Sequence, residues 1–218
     1  MPINIQRADI DQMERFFRTN LINSLSGFKS VNLIGTTDSN GTHNLAIFSS
    51  FVHIGANPPL MGFIQRPLSV PRDTYNNILQ TGYFTVNHLN KEICHQSHQT
   101  AARYPVETSE FEATGLQPFF SEKIPAPYVT ESHLRFGLRF REAIPIPLNG
   151  TLLVIGEIEE VFLPDGCLST DGFLDLEAAG SLTVSGLDAY YETSRLSRLS
   201  YAKADAPLSE IPVTPLAK

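Results

Sequence analysis

The stretch VNLIGTTDSNGTHNLAIFSSFVHIG, residues 31–55, contains two apolar runs on either side of a turn. The first run, residues 31–37, has β-branched residues at its ends, and the second, residues 43–55, reads as another strand. Between them, DSNG at 38–41 combines Asp and Asn, which tolerate the left-handed region, with a glycine that adopts positive φ freely. This pattern predicts an antiparallel hairpin.

The same kind of reading extends to the rest of the chain. It predicts further strands over residues 60–65, 83–89, 132–144 and 151–163, and helices over 9–26, 74–82 and 90–104. Strands outnumber helices, and the alternation of strand and helix that builds a parallel sheet is missing. We therefore expect a mainly β protein with some α, folded as a small Greek-key barrel with helices outside it.

Composition narrows the class of protein. The chain has 218 residues, of which 42% are hydrophobic, enough for one core with elaborations. The formal charge of −7 argues against a nucleic-acid partner, and no apolar run of about 18 residues indicates a membrane span. The N-terminus lacks the apolar stretch of a secretion signal, and Cys94 and Cys167 are too few for a disulfide framework. These features predict a soluble cytoplasmic protein with reduced thiols.

The segment RPLSVPRDTYNNI, residues 66–78, holds two arginines directly before a predicted helix. The first turn of a helix leaves N–H groups free to bind an anion, and the guanidinium groups of Arg66 and Arg72 add further donors. The Thr74 hydroxyl can contribute as well. In the alternative interpretation, Asp73 caps the helix and both arginines are solvated.

A second polar feature interrupts the strand NLAIFSSF. Ser49 and Ser50 follow an apolar run and lie between Phe48 and Phe51, where a flat aromatic ring can lie against the strand. The alternative is a strand end with two exposed serines. Together with the anion site, this strand suits a phosphorylated aromatic cofactor, because the sequence has neither the dinucleotide-binding glycine fingerprint nor a P-loop.

The order of these segments resembles the flavin reductase-like family of FMN-binding split barrels. The resemblance covers residues 28–165 and is carried by GTTDSNGTHNLAIFSSF, NPPLMGFIQRP, RDTYNNILQTGYFTVNHL and LLVIGEIEEV. It implies a split β-barrel of the Greek-key, FMN-binding type, assembled as a homodimer with FMN near the subunit interface. Members include NAD(P)H:flavin oxidoreductases, reductase partners of two-component monooxygenases, and flavoredoxin-like electron carriers.

The resemblance also implies a set of site residues. Arg72 and Thr74 would bind the FMN phosphate beside Asp73, and Arg66 would reach the phosphate or the ribityl chain. The other implied flavin neighbours are Phe48, Ser49, Ser50 and Phe51, with Asn44, Ala46, Asn87, His88 and His133 as further candidates. NADH or NADPH would be the co-substrate, and the flavin N5 atom rather than a protein side chain would carry the chemistry.

The family pattern divides the chain into three parts. Residues 1–27 would form a helical segment packed on the barrel, and residues 28–165 the FMN-binding barrel itself. Within the barrel, 104–127 is an insert and a candidate lid. Residues 166–218 would form an extension packed on the barrel or on the partner subunit.

Two further functions and one further site remain open from the sequence. An electron carrier would be reduced by a basic redox protein that docks on the acidic surface, and a split barrel can also bind another phosphorylated aromatic ligand. His95 and His98 share a helix face next to Cys94, but nothing completes a metal site there, so we expect solvated histidines and no metal.

Overall fold

The computed structural model describes residues 2–105 and 107–216 and is mainly β. The helices are α1 Arg7–Gln12, α2 Arg15–Leu25, α3 Asp73–Thr81, α4 Cys94–Gln99 and α5 Glu110–Thr114. The strands are β1 Lys29–Ser30, β2 Asn32–Thr37, β3 His43–Phe48, β4 Phe51–Ala56, β5 Pro59–Gln65, β6 Tyr83–His88, β7 Pro118–Phe119, β8 Tyr128–Val129, β9 Arg135–Ile146, β10 Thr151–Phe162, β11 Thr183–Ser185 and β12 Ala189–Tyr191.

Seven of these strands form one antiparallel sheet in the order β3-β2-β6-β9-β10-β5-β4. Its two edge strands, β3 and β4, follow each other in the chain with only Ser49 and Ser50 between them. Three Cα steps span at most about 11 Å, so the two edges must meet at this end. The pairings of the described residues do not join β3 to β4. The sheet is therefore a barrel open along one side, and the predicted split barrel with peripheral helices is confirmed.

The predicted hairpin is confirmed as β2 and β3, in register from Asn32 opposite Phe48 to Thr37 opposite His43. The prediction of one strand over residues 43–55 is wrong, since the chain leaves β3 after Phe48 and begins β4 at Phe51. The reason is a side-chain contact: the Ser50 hydroxyl bonds both the N–H and the C=O of Ile64 at 3.2 Å. This contact fastens the corner to β5.

The core lies on both faces of β2, whose six residues are all buried. Ile34 belongs to the cluster inside the barrel, and Leu33 belongs to a second cluster under α4 and α5. Aromatic rings fill the inner cluster around Phe63, which is fully buried. Burial on both faces explains why this strand reads as a continuous apolar run rather than an alternating one.

The N-terminal helix predicted over residues 9–26 is two helices in the structure. The carboxylate of Glu14 accepts the N–H groups of Phe16 and Phe17 at 2.8 and 3.1 Å, which caps a new helix instead of continuing the first. Neither α1 nor α2 contains a buried residue.

The C-terminal extension shares the core of the barrel. Strand β11 pairs with β1 and β12, and Cys167 and Ala179 belong to the inner cluster. The division at residues 27 and 165 stays a prediction. In the part of the chain that the structure describes, no helix is long and apolar enough to cross a membrane.

The helix that precedes the insert is shorter than the sequence predicts. The helix predicted over 90–104 is only α4, preceded by a turn in which the Asn90 side chain accepts the Ile93 N–H at 3.1 Å. Apart from residue 106, which lies outside the described residues, the insert 104–127 contains α5 and β7.

Replacing Gly35 by alanine should destabilise the fold. A Cβ atom at Gly35 would lie 2.1 Å from the carbonyl oxygen of Pro127 and 2.6 Å from the Thr85 hydroxyl. Because the nearest clash is with backbone, we expect Gly35→Ala to lower the free energy of unfolding by about 1–3 kcal/mol, measured by urea denaturation. Gly55→Ala is the matched control, since its nearest neighbour, the Pro58 carbonyl, is 3.6 Å away. Equal losses in both variants would contradict this prediction.

Candidate functional site

A cleft of about 1090 Å³ opens beside the split of the barrel. Its walls are β3, the end of β5, the start of α3 and the segment Thr100–Tyr104. Nine residues that the sequence singled out line this cleft: Asn44, Ala46, Phe48, Ser49, Ser50, Arg66, Arg72, Asp73 and Thr74. The fold therefore brings the two polar features of the sequence into one site.

One end of the cleft is the N-terminus of α3. Arg72 is the N-cap residue and Asp73 is the first helical residue, and no side chain caps this helix. The alternative in which Asp73 is the cap is therefore not what the structure shows. The N–H groups of the first turn carry the positive end of the helix dipole and have no side-chain acceptor, which suits an anion.

Two side chains at this end are held in place by hydrogen bonds. The Arg72 Nε atom donates to the Pro67 carbonyl at 3.2 Å, which leaves both terminal nitrogens free of that contact. The buried Thr74 hydroxyl oxygen accepts the Asn44 side-chain N–H at 3.1 Å. Since that oxygen is the acceptor, the hydroxyl proton remains available to donate to a ligand.

The other end of the cleft lies at the corner between β3 and β4. Phe48 packs edge-on against Phe63, with ring centroids 4.8 Å apart, and still lines the cleft. Phe51 does not line it, because its ring packs into the core against Phe136 at 5.9 Å. Gln65, which sequence reasoning missed, is buried at this end.

Three other candidates face elsewhere. The Asn87 amide donates to the Leu33 carbonyl at 3.1 Å and accepts the Val129 N–H at 2.8 Å, so it joins strands. His88 contacts the Ser181 hydroxyl at 3.0 Å, and His133 contacts the Ala179 carbonyl at 3.2 Å. None of the three lines the cleft, and their roles toward a ligand stay predictions.

The environment of His88 predicts a dependence of stability on pH. Burial lowers the pKa of His88 from 6.5 to about 4, so the unfolded chain takes up a proton between these values while the folded chain does not. The free energy of unfolding should therefore fall as pH drops from about 6.5 to about 4. The loss is at most about 3 kcal/mol, and the partial exposure of the ring reduces it.

Urea denaturation across this pH range would measure the effect. His88→Gln keeps a partner for Ser181 without the titration, and it should remove the His88 part of the slope. Gln96→Asn on the exposed face of α4 provides the control variant, which changes no titrating group and should leave the slope unchanged. A slope identical in all three proteins would contradict a neutral, buried His88.

The charges around the cleft are mixed. Arg66, Arg72 and Arg103 line it, and so do Asp73, Glu110 and Asp188. The Glu110 carboxylate accepts the Leu45 N–H at 3.0 Å. Burial, with a smaller contribution from the negative charge of Asp73, raises the pKa of Glu110. Glu110 therefore carries its charge less readily than an exposed glutamate, which favours an anionic ligand nearby.

Lys29 is a further basic residue of the cleft, and its ammonium group donates to the carbonyls of Asn23 and Gly186 at 3.0 and 2.8 Å. Burial lowers its pKa. Since two protein acceptors already hold this group, it has one N–H left for a ligand, fewer than the guanidinium groups of Arg66 and Arg72 have.

The predicted absence of a metal concerned the histidines of α4. Across residues 2–105 and 107–216, no three His, Cys, Asp or Glu side chains group closely enough to hold a metal ion. The His98 Nδ1 atom instead lies 2.7 Å from the Tyr190 hydroxyl. Burial raises the pKa of Tyr190 to about 12, so the phenol keeps its proton.

Comparisons with known proteins bear on the family and the fold of the chain. A family model of the flavin reductase like domain matches residues 25–177. A split-barrel protein of Shewanella frigidimarina NCIMB 400, provisionally assigned as a flavin reductase, is 50% identical and has a TM-score of 0.89 over 92% of this chain and 100% of its own. The chain spans 61% of the length of a curated relative, an uncharacterized protein of Aquifex aeolicus, with 28% identity over 54% of this chain.

Two more distant structures share the fold. Nitrilotriacetate monooxygenase component B from Bacillus cereus is 23% identical, with a TM-score of 0.78 over 89% of this chain and 97% of its own. Flavoredoxin of Desulfovibrio vulgaris (Miyazaki F) is 22% identical, with a TM-score of 0.66 over 83% of this chain and 92% of its own.

Proposed function

This chain belongs to the flavin reductase-like family, and on that premise we propose that its cleft binds FMN and that NADH or NADPH reduces the bound flavin. The proposal rests on one observation: the two ends of the same cleft differ in chemistry. An uncapped helix N-terminus with Arg72 and Thr74 lies at one end, and a corner lined by Phe48 and Ser49 lies at the other. A phosphate suits the first end and a flat ring the second.

The residues present fit FMN. The first-turn N–H groups of α3, the Arg72 guanidinium and the Thr74 hydroxyl are all donors, as a phosphate requires. At the far end the buried side-chain oxygen of Gln65 has no hydrogen-bond partner among the described residues, so it suits a ligand that carries a donor. When bound, the flavin supplies the hydride-accepting centre, and the chain holds it, orients it and leaves one side open.

The exposed apolar residues of the N-terminal segment support a homodimer with FMN near its interface. Phe16, Phe17 and Leu25 of α2 are 72%, 61% and 68% exposed, and Phe28 is 62% exposed. Asn23 on the same helix lines the cleft, so a second copy covering α2 would lie beside the ligand. Exposed aromatic clusters of this kind mark protein contacts. Light scattering should give twice the mass of one chain, and a monomer at micromolar concentration would contradict this part of the proposal.

An electron carrier of the flavoredoxin type is the second candidate function. It is favoured by the insert, because Tyr104 and Glu110 line the cleft through which nicotinamide would have to reach the flavin. The net charge of −7 would suit a basic redox protein as electron donor.

Both cysteines are free thiols, consistent with the cytoplasmic location that we propose.

Anaerobic reduction separates these functions. FMN bound to the protein should lose its visible absorbance on addition of NADH or NADPH if the protein is a reductase. Flavin that bleaches with dithionite but not with either nicotinamide would favour the carrier. Protein that takes up no FMN would overturn both functions and favour a barrel that binds a different phosphorylated aromatic ligand.

A further inference from the structure

The side-chain amide of Gln65, the last residue of β5, has a hydrogen-bond partner for its nitrogen but none among the described residues for its oxygen. It is 3% exposed, and its Nε2 atom donates to the Arg66 carbonyl at 3.2 Å. Its Oε1 atom is buried without a hydrogen-bond partner among the residues that the structure describes. Buried amide oxygens rarely stay unpaired, because leaving water without a new partner costs free energy. Since the residue lines the cleft, a ligand bound there is a candidate partner for this oxygen.

The chemistry of that partner follows from the amide. A carbonyl oxygen only accepts hydrogen bonds, and the amide nitrogen is already committed. The oxygen therefore requires an N–H or O–H on the ligand. An ionised phosphate offers only acceptors, so Gln65 cannot serve the anion.

Gln65 lies between the serine corner and the loop that carries Arg72. Strand β3 runs along the cleft from Asn44, which bonds Thr74 at the start of α3, to Phe48 and the serine corner. Four residues of extended chain cover roughly 13 Å. Gln65 lies at the corner, because the neighbouring Ile64 is the residue that holds Ser50. On its other side the chain continues to Pro67, whose carbonyl holds Arg72. A flavin with its phosphate at α3 and its ring at the serine corner would therefore have its ring on the Ser50 side of Gln65.

We infer that the Gln65 side-chain oxygen accepts a hydrogen bond from N3–H, the single N–H donor of the oxidised flavin ring, and that Gln65 thereby determines specificity for flavins with an unsubstituted N3. This inference rests on the proposed function, since it requires FMN in the cleft. Sites built to bond a ligand N–H reject analogues that lack it, because the buried acceptor is then left unpaired.

Fluorescence titration with FMN and with 3-methyl-FMN, in which N3 carries a methyl group, tests the inference. Wild-type protein should bind FMN at least about tenfold more tightly than 3-methyl-FMN, as expected for one buried hydrogen bond. Gln65→Met should weaken FMN but not 3-methyl-FMN, and so abolish the preference. Gln96→Met on the exposed face of α4 is the control and should behave as wild type.

The outcomes are distinct. Equal affinity of wild-type protein for the two flavins would overturn the inference while leaving the proposed function intact, and this comparison needs no variant. Equal weakening of both flavins by Gln65→Met, in a variant whose circular dichroism matches wild type, would also overturn it and point to the ribityl hydroxyls. Failure of wild-type protein to bind FMN at all would remove the proposed function and the inference together.

Discussion

Replacing Arg72 by alanine should weaken FMN roughly 10- to 150-fold, the equivalent of about 1.5–3 kcal/mol for a lost charge-assisted hydrogen bond. Riboflavin, which lacks the phosphate, should lose little. Arg72 is the N-cap residue of α3, and its Nε atom is held by the Pro67 carbonyl. This contact restricts the side chain and leaves the terminal nitrogens free of it. Fluorescence titration of both ligands measures the difference.

Two further variants make the comparison with Arg72 specific. Arg141→Ala, on the exposed surface of β9 and outside the cleft, should leave both affinities unchanged. Thr74→Val removes the hydroxyl proton and should also discriminate against FMN, by about 1.5–3 kcal/mol, the value for one hydrogen bond to a charged group. An Arg72→Ala protein that lost FMN and riboflavin by the same factor would rule out a phosphate at this position.

Phe63→Ala should cost about 3–5 kcal/mol of the free energy of unfolding, as expected when a large aromatic residue is deleted from a core. Phe63 is fully buried, and its ring lies at centroid distances of 4.8 Å from Phe48, 6.5 Å from Phe51 and 5.8 Å from Phe84. Removing it leaves a cavity between rings that belong to β3, β4 and β6. Because Phe48 lines the cleft, flavin affinity should fall as well.

Urea denaturation of Phe63→Ala and of a control, Phe120→Ala, would test this effect. Phe120 is 46% exposed, so its loss should cost below about 1.5 kcal/mol. The larger loss expected for Phe63→Ala depends on the contacts that the Phe63 ring makes with rings on both edge strands of the split, β3 and β4. A loss of unfolding free energy for Phe63→Ala no larger than that of the control would show that these rings do not hold the two edge strands together.

The parts of the fold that the sequence predicted correctly are those with a strong local signal. The β2–β3 turn follows from Asp38 and Gly41, whose φ of 87° needs glycine. Helix α3 ends at Gly82 with φ of 77°, as its sequence indicates. The sequence offers a strand end at Ser49 and Ser50 only as an alternative, because the break depends on β5 lying alongside, and a local pattern carries no information about that neighbour.

The site shows the same limit. Arg72 and Thr74 stand out locally, next to a helix start, and the structure brings both to the cleft. Phe51 has the same residue type and neighbours as Phe48, and only the path of the chain around the corner sends one ring into the core and leaves the other at the cleft. Gln65 offers one weak signal, because it is a polar residue at the end of an apolar strand, directly before Arg66. The signal becomes informative only when the structure shows that Gln65 is buried.

The insert contributes in a way that its sequence did not indicate. Glu110 reaches the cleft because its carboxylate bonds the Leu45 N–H of an edge strand, an outward-facing donor that the sheet leaves free. The prolines of the insert predict a loop, but they do not indicate which strand edge that loop will bond.

The central claim is that the cleft binds one FMN per chain through its phosphate, and equilibrium titration of the wild-type protein tests this most directly. Flavin fluorescence should change saturably to one equivalent of FMN per chain, and riboflavin should bind at least about tenfold more weakly, as the loss of one charge-assisted contact requires. No saturable signal at concentrations well above micromolar, or equal affinities for the two flavins, would contradict the account.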